Sequence, residues 1–268
     1  MARTPCAFCE SRSKKITNEH IFAEWIGAVV GAGRAGVIVR NTFNLDETIR
    51  PAWHTQNLDL RVRMACESCN TGWMSNLETE VRPIMMPMIR GNAKVPLTLR
   101  GQRAVATWAV KTAMVAEFLQ KPPTRYFTQA ERRFLVDEVV PSRNLGAFVW
   151  IGRYASKDNG LHGLATTMTQ ADRVSRAHLS MFALGQFAIQ VLVERGAVGQ
   201  RERLAVRPGP WDQLLSQIWP PPTLFGANGG LFFWPPPSLI TAGNAGAIFD
   251  RFLAFGVKRG PDRPRTSV

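Results

Sequence analysis

No stretch of eighteen or more apolar residues occurs in the 268-residue chain, so no membrane-spanning helix is expected. The opening residues, MARTPC, hold no apolar leader, and the expected location is cytoplasmic. No internal repeat is found, and the charges form no long single-sign run. Cysteine is scarce. The four that occur stand only as two pairs, Cys6-x-x-Cys9 and Cys66-x-x-Cys69. Disulfides would need an oxidising compartment, for which nothing at the N-terminus argues. Paired Cys-x-x-Cys elements therefore point first to a structural zinc site.

What the chain does have is a core and a surplus of positive charge. Hydrophobic residues make up 45% of it, which marks a globular protein rather than a disordered one. Its length suits two modest domains, or one domain with a large extension. The net charge is +13 and the pI about 10.6. Residues 1–100 carry 13 basic against 9 acidic side chains, and residues 101–268 carry 20 against 11. A balance of this kind favours a polyanionic partner, of which nucleic acid is the commonest. The plainer alternative is a well-solvated, arginine-rich surface.

Periodicity gives a coarse map. In "NLDLRVRMAC" Leu58, Leu60, Val62 and Met64 alternate with Asp59, Arg61 and Arg63, which predicts a half-buried strand with a basic outer face. "NTGWMSNLETEV" then predicts a helix with Trp73, Leu77 and Val81 on one stripe, ending at or just before Pro83. "QRAVATWAVKTAMVAEFLQ" is the strongest helix, closed by Pro122-Pro123. "TQAERRFLVDEVV" is another, with Thr128 as N-cap and Glu131 at the capping-box position. "LGAFVWIGRYA", "HGLATTMT" and "AHLSMFALGQFAIQVLVE" predict strands, the last with a turn or bulge at Gly185. "WDQLLSQIW" and "AGAIFDRFLAFG" predict short helices. "GAGRAG" lacks the ending of a phosphate-binding loop and is taken as a flexible connection. The expected division is residues 1–95, residues 96–258 as an α+β region with an antiparallel sheet, and a basic, disordered tail at 259–268.

Two cysteine pairs give four sulfurs, the set that closes a tetrahedral zinc site with no open position. The 56 residues between the pairs exceed the spacing of small zinc modules, so something folded must sit between them. That segment holds Glu19-His20, and Asn70 directly follows Cys69. The combination "CAFCE…ITNEHIFAEW…ACESCNTGWMSNLE", covering residues 6 to about 82, resembles the HNH endonucleases, in the subgroup with a zinc-stapled ββα-metal (treble-clef) module. In that family an acidic-His pair lies on the first strand and a His or Asn follows the second cysteine pair on the helix. Glu19-His20 and Asn70 match those positions.

The resemblance implies a metal-dependent phosphodiesterase acting on DNA. His20 would be the general base, since an imidazole ordinarily titrates near 6.5 and can take a proton from water at neutral pH. Glu19 and Asn70 would supply hard oxygen ligands to a catalytic Mg²⁺ or Mn²⁺, apart from the structural Zn²⁺. Lys14, Lys15, Arg61 and Arg63 are the candidate phosphate contacts. The match departs from the family at its middle asparagine. Asn57, nine residues before Cys66, and His54 are the nearest substitutes. Met74 and Ser75 occupy the positions where many members carry a lysine. Plainer alternatives stand beside this reading. Glu19-His20 could cap a helix with Asn18 as N-cap, and Asn70 could be an ordinary first-turn residue. The whole module could also be a treble-clef zinc protein that binds nucleic acid without cutting it.

Overall fold

The alternation in Arg61, Val62, Arg63 and Met64 is what a half-buried strand requires, and β4 (Arg61–Cys66) exposes both arginines and buries Val62 and Met64. The computed structural model describes residues 4–30, 37–43, 53–55, 60–91, 94–119, 125–141, 146–155, 161–169, 176–195, 214–221, 232–236 and 239–241. In it β4 pairs antiparallel with β1 (Ile16–His20), and the register shifts at a bulge between Thr17 and Asn18. After β1 the chain enters a short helix, α1 (Glu24–Val30). After β4 it passes straight into α2 (Glu67–Cys69), a wide π-helical turn at Asn70–Met74, and α3 (Ser75–Arg90). The cysteine-bearing segment thus pairs β1 with β4 and runs from β4 into a helix.

Helix α3 does not stop at Pro83. It continues through Pro83 and Pro87 to Arg90. An interior proline costs about 3 kcal/mol or more. Against that, Leu77, Val81, Met85, Met88 and Ile89 are all buried, and each such side chain contributes about 1.5–3 kcal/mol on leaving water. Tertiary burial therefore overrides the local break. Gly91 closes the helix with φ of 72°, and a Cβ there would lie 2.1 Å from the Gln186 side chain.

Alongside α3 packs α4 (Leu99–Ala116), begun by Thr98, whose hydroxyl accepts from the Gly101 N–H. Residues 104 to 115 of α4 are all buried, the pattern of a central helix. Helix α5 (Gln129–Glu138) has the expected capping box: Thr128 accepts from the Glu131 N–H and Glu131 accepts from the Thr128 N–H. Among the described residues, no helix is long and apolar enough to cross a membrane.

The rest is mainly sheet. Strands β6 (Ala147–Ala155), β7 (Leu161–Thr169), β8 (Arg176–Leu184) and β9 (Phe187–Arg195) form the central ladder. Gly185, with φ of 56°, makes the β8–β9 turn, and the neighbouring Gln186 N–H donates to the Ile89 carbonyl at the end of α3. The expected helix in "WDQLLSQIW" is instead β10 (Leu215–Trp219), which pairs antiparallel with β6. Its buried Leu215, Ile218 and Trp219 gain more from the sheet than from a short helix. Two strands from between the cysteine pairs, β2 (Val37–Phe43) and β3 (Trp53–Thr55), extend the same sheet, giving the order β10-β6-β9-β8-β7-β2-β3. The β2–β7 pairing is parallel, as is that of β12 (Leu239–Thr241) with β6; the other pairings are antiparallel. A separate pair joins β5 (Val95–Leu97) to β11 (Phe232–Trp234).

Among the described residues the molecule is therefore α+β with mainly antiparallel sheets. One buried apolar cluster runs from Cys6 and Phe8 through α3 and α4 to Trp234, and a smaller one, with Trp150, Tyr154 and Ile240, covers further sheet residues. Both the large sheet and the main core cross position 95. The "GAGRAG" loop, the "AGAIFDRFLAFG" helix and the 259–268 tail lie outside the described residues.

Helix α5 ends on Val139, which sits in the left-handed region at φ 47° and ψ 43°. A β-branched side chain is poorly suited to that conformation, at a cost of roughly 1–2 kcal/mol. Val139→Gly is expected to raise the thermal unfolding midpoint by about 2–4 °C. Calorimetry checks this, and a lower midpoint would mean that the half-buried valine packs for more than its backbone strain.

Candidate metal centre and adjoining cleft

The four cysteines come together from two tight turns. Around the first pair the Glu10 N–H donates to the Cys6 carbonyl at 3.0 Å, and the Ala7 N–H donates to Met64 of β4 at 2.9 Å. Cys66 ends β4, and Cys69 ends α2. The sulfurs stand 3.9 Å apart for Cys6–Cys69 and 3.5 Å apart for Cys9–Cys66, and all four lie within 4.8 Å of one another. A tetrahedron with metal–sulfur bonds of about 2.3 Å has an edge near 3.8 Å. None of the four forms a disulfide. The cluster could hold a metal ion such as zinc.

Its electrostatics agree. The hydrogen bond with Cys69 pushes the Cys6 thiol down to about 4, against the effect of burial. That same hydrogen bond, with burial and the charge on Cys6, pushes Cys69 up. Burial pushes Cys9 up as well. Cys6 thus ionises readily while Cys9 and Cys69 resist, and a divalent cation would let them bind together as thiolates. Phe8 and Trp73 pack edge to face beside it, with centroids 5.2 Å apart.

Next to the cluster, β1 presents its residues to opposite sides. His20 is in register with Arg61 and Asn18 with Arg63, while Glu19 lies opposite Val62. Cross-strand partners share a face. The outer face thus carries Asn18, His20, Arg61 and Arg63, and the inner face carries Glu19, only 3% exposed. An open depression of about 450 Å³ is lined by Asn18, Glu19, His20, Glu24, Asn70 and Glu78, with Arg82 among its other lining residues.

Asn70 enters this cleft from the start of the π-helical turn. Its Nδ2 donates to Thr17 Oγ1 at 3.2 Å and to the Asn18 carbonyl at 3.4 Å. Its Oδ1 makes no hydrogen bond among the described residues. His20 Nε2 lies 3.4 Å from Glu24 Oε1, and Arg61 reaches the same oxygen at 3.9 Å.

Beneath the cleft lies Lys111 of α4, fully buried. Its Nζ donates to Glu78 Oε1 at 2.9 Å and to Glu19 Oε1 at 3.3 Å. Burial pushes the Glu19 pKa up, with the Lys111 charge opposing and Glu78 adding to it. Burial works to lower the pKa of Lys111, but the Glu78 and Glu19 carboxylates outweigh it, and the net direction is up. The ammonium is thus held charged between two carboxylates. Glu19 Oε2 makes no hydrogen bond among the described residues.

Of the residues singled out from sequence, Glu19, His20 and Asn70 line one cleft beside the four cysteines. Glu19 and His20 belong to β1, and the next helix begins only at Glu24, so Asn18 is not a helix cap. Lys14 and Lys15 are exposed, and Lys14 Nζ donates to Ser68 Oγ at 2.8 Å. His54 stands in β3 at the edge of the large sheet, in register with Ile38. Asn57 lies outside the described residues.

Sequence reasoning missed Glu24, Glu78 and Lys111. The first two had weak signals: Glu24 follows His20 by four residues, and Glu78 lies two turns beyond Asn70 on the helical stretch. The third had a strong one. A lone lysine inside "AVATWAVKTAMVA" is a charge on a buried helix and needs a partner. No protein-family model, curated protein or solved structure matches the chain.

Structural zinc in zinc-finger peptides supplies about 10–16 kcal/mol of apparent binding energy. Cys66→Ser is therefore expected to lose tightly bound metal and to lower the unfolding midpoint. Elemental analysis and calorimetry on the same sample check both. Full metal content at an unchanged midpoint would remove Cys66 from the ligand set.

Proposed function

We propose that this chain is a metal-dependent endonuclease of the HNH type, with a zinc-stapled ββα-metal (treble-clef) module that hydrolyses phosphodiester bonds of DNA. The observation that carries the reading is the meeting of Glu19, His20 and Asn70 in one cleft beside four clustered cysteines, on two paired strands and the helix that follows them. Asn70 is separated from the Glu19-His20 pair by about fifty residues of chain, so their convergence is not a product of local sequence.

The donor set fits a hard divalent cation. Glu19 Oε2 and Asn70 Oδ1 are oxygens without another hydrogen-bond partner among the described residues, and both side chains line the cleft. A Mg²⁺ or Mn²⁺ held there would neutralise charge developing on the scissile phosphate and the leaving oxygen. The other roles fall to side chains. His20 stands on the outer face, where substrate can reach it, and is the base that accepts the proton of the attacking water. Glu24, 3.4 Å from Nε2, holds a carboxylate beside the ring. Arg61 and Arg63 lie on the same face as His20 and offer positive charge to the flanking phosphates, and Lys14 and Lys15 extend the basic surface. The excess of positive charge over the whole chain supports a nucleic-acid substrate.

Plasmid cleavage in Mg²⁺ or Mn²⁺ is the direct test. Wild-type protein is expected to cut, EDTA to stop it, and His20→Ala to slow it by about 10²–10⁴-fold while remaining folded and zinc-loaded. Equal cutting by both proteins would place the base elsewhere. Retardation of DNA in a gel with no cutting by either would favour a zinc-stapled nucleic-acid binder, which the same exposed arginines would serve.

A further inference from the structure

Helix α4 carries one charged residue within its buried apolar run, and that residue ends at the candidate cleft. Lys111 is fully buried and donates to Glu78 at 2.9 Å and to Glu19 at 3.3 Å. Glu78 lines the cleft and keeps 23% of its side chain exposed. Two carboxylates thus share one ammonium, and when all three are charged the trio keeps one net negative charge at the floor of the cleft.

We propose that Lys111 is a positioning residue that occupies the negative field of Glu19 and Glu78 in competition with a divalent cation, and so sets how tightly this cleft binds one. This rests on the reading of Glu19 as a cation ligand. The geometry carries the rest. Lys111 takes Oε1 of Glu19 and leaves Oε2 with no hydrogen bond among the described residues, so it orients the carboxylate without saturating it. It lies closer to Glu78 than to Glu19, and Glu78 thereby draws the ammonium away from the ligand. An ammonium this near a bound cation repels it, and low-dielectric surroundings strengthen that repulsion. The alternative is a plain staple, in which the same three charges only fasten α4 to β1 and α3. The two accounts differ in one respect. A staple affects folding alone, whereas a competing charge moves cation affinity in opposite directions when it and its partner are neutralised.

The experiment uses the full chain with its cysteine cluster metal-loaded, no DNA, and Mn²⁺ alone as probe. Binding is followed by calorimetric titration and by the rise in unfolding midpoint with Mn²⁺ concentration. Lys111→Gln is expected to tighten Mn²⁺ binding by about tenfold or more, and Glu78→Gln to weaken it by a similar factor, within the usual 5- to 150-fold range of coupled sites. The Lys111→Gln/Glu78→Gln double variant restores the charge balance and is expected to bind within a few-fold of wild type. Lowered midpoints with unchanged Mn²⁺ affinity in these variants would overturn the proposal and leave a staple. If Lys111→Gln does not fold, Glu78→Gln and the double variant decide: wild-type affinity in Glu78→Gln overturns it. If neither wild type nor any variant responds to Mn²⁺, the cation reading of Glu19 fails, and this proposal with it.

Discussion

The gathering of four sulfurs from residues 6–9 and 66–69 into a space under 5 Å across is the constraint on which the candidate site depends. It fixes the turn of the first pair against β4, through the Ala7–Met64 hydrogen bond, and so fixes where β1 begins. Once β1 and β4 are paired, the pleat assigns roles. Neighbouring residues point to opposite faces, so Glu19 must turn inward if His20 is to turn outward. Asn70 follows the last cysteine directly and cannot avoid the same corner. The arrangement is economical in chain, because one cluster of thiols sets the place of three side chains that contribute nothing to it.

Burying Glu19 would be costly without compensation, and compensation comes from outside the two-strand-and-helix segment. Lys111 arrives from α4, whose other side chains are packed into the common core. The same core includes α3, the β8–β9 ladder and Trp234. The catalytic candidates and the large sheet therefore share a foundation, and the acid at the cleft floor depends on a residue ninety positions away in sequence.

What could be read from the sequence was local. Alternation predicts β4, the Thr128–Glu131 spacing predicts the cap of α5, and Gly185 marks the β8–β9 turn, because each is decided within a few residues. The cysteine pairs and the Glu-His-Asn set were legible for the same reason: each half has its own signature. What was not legible depended on remote partners. Pro83 looks like a stop until the burial of Met85, Met88 and Ile89 is counted. Leu215–Trp219 looks helical until β6 stands beside it. The segment after Val30 gives no hint that its strand will lie parallel to β7. Lys111 could have been flagged as a buried charge, but nothing nearby in sequence names Glu19 and Glu78 as its partners.

The pairing of β2 with β7 bears on the order in which the molecule is made. During synthesis the four thiols are all available once Cys69 has emerged, so the cluster can close early and locally. Strand β2, caught in the loop between the cysteine pairs, must then wait about another hundred residues for β7, and Glu19 waits some forty more residues for its lysine. Late, long-range pairing of this kind is slow and leaves strand edges unprotected meanwhile. The nascent chain can thus gather its four thiols at a stage when the sheet that β2 will join does not yet exist.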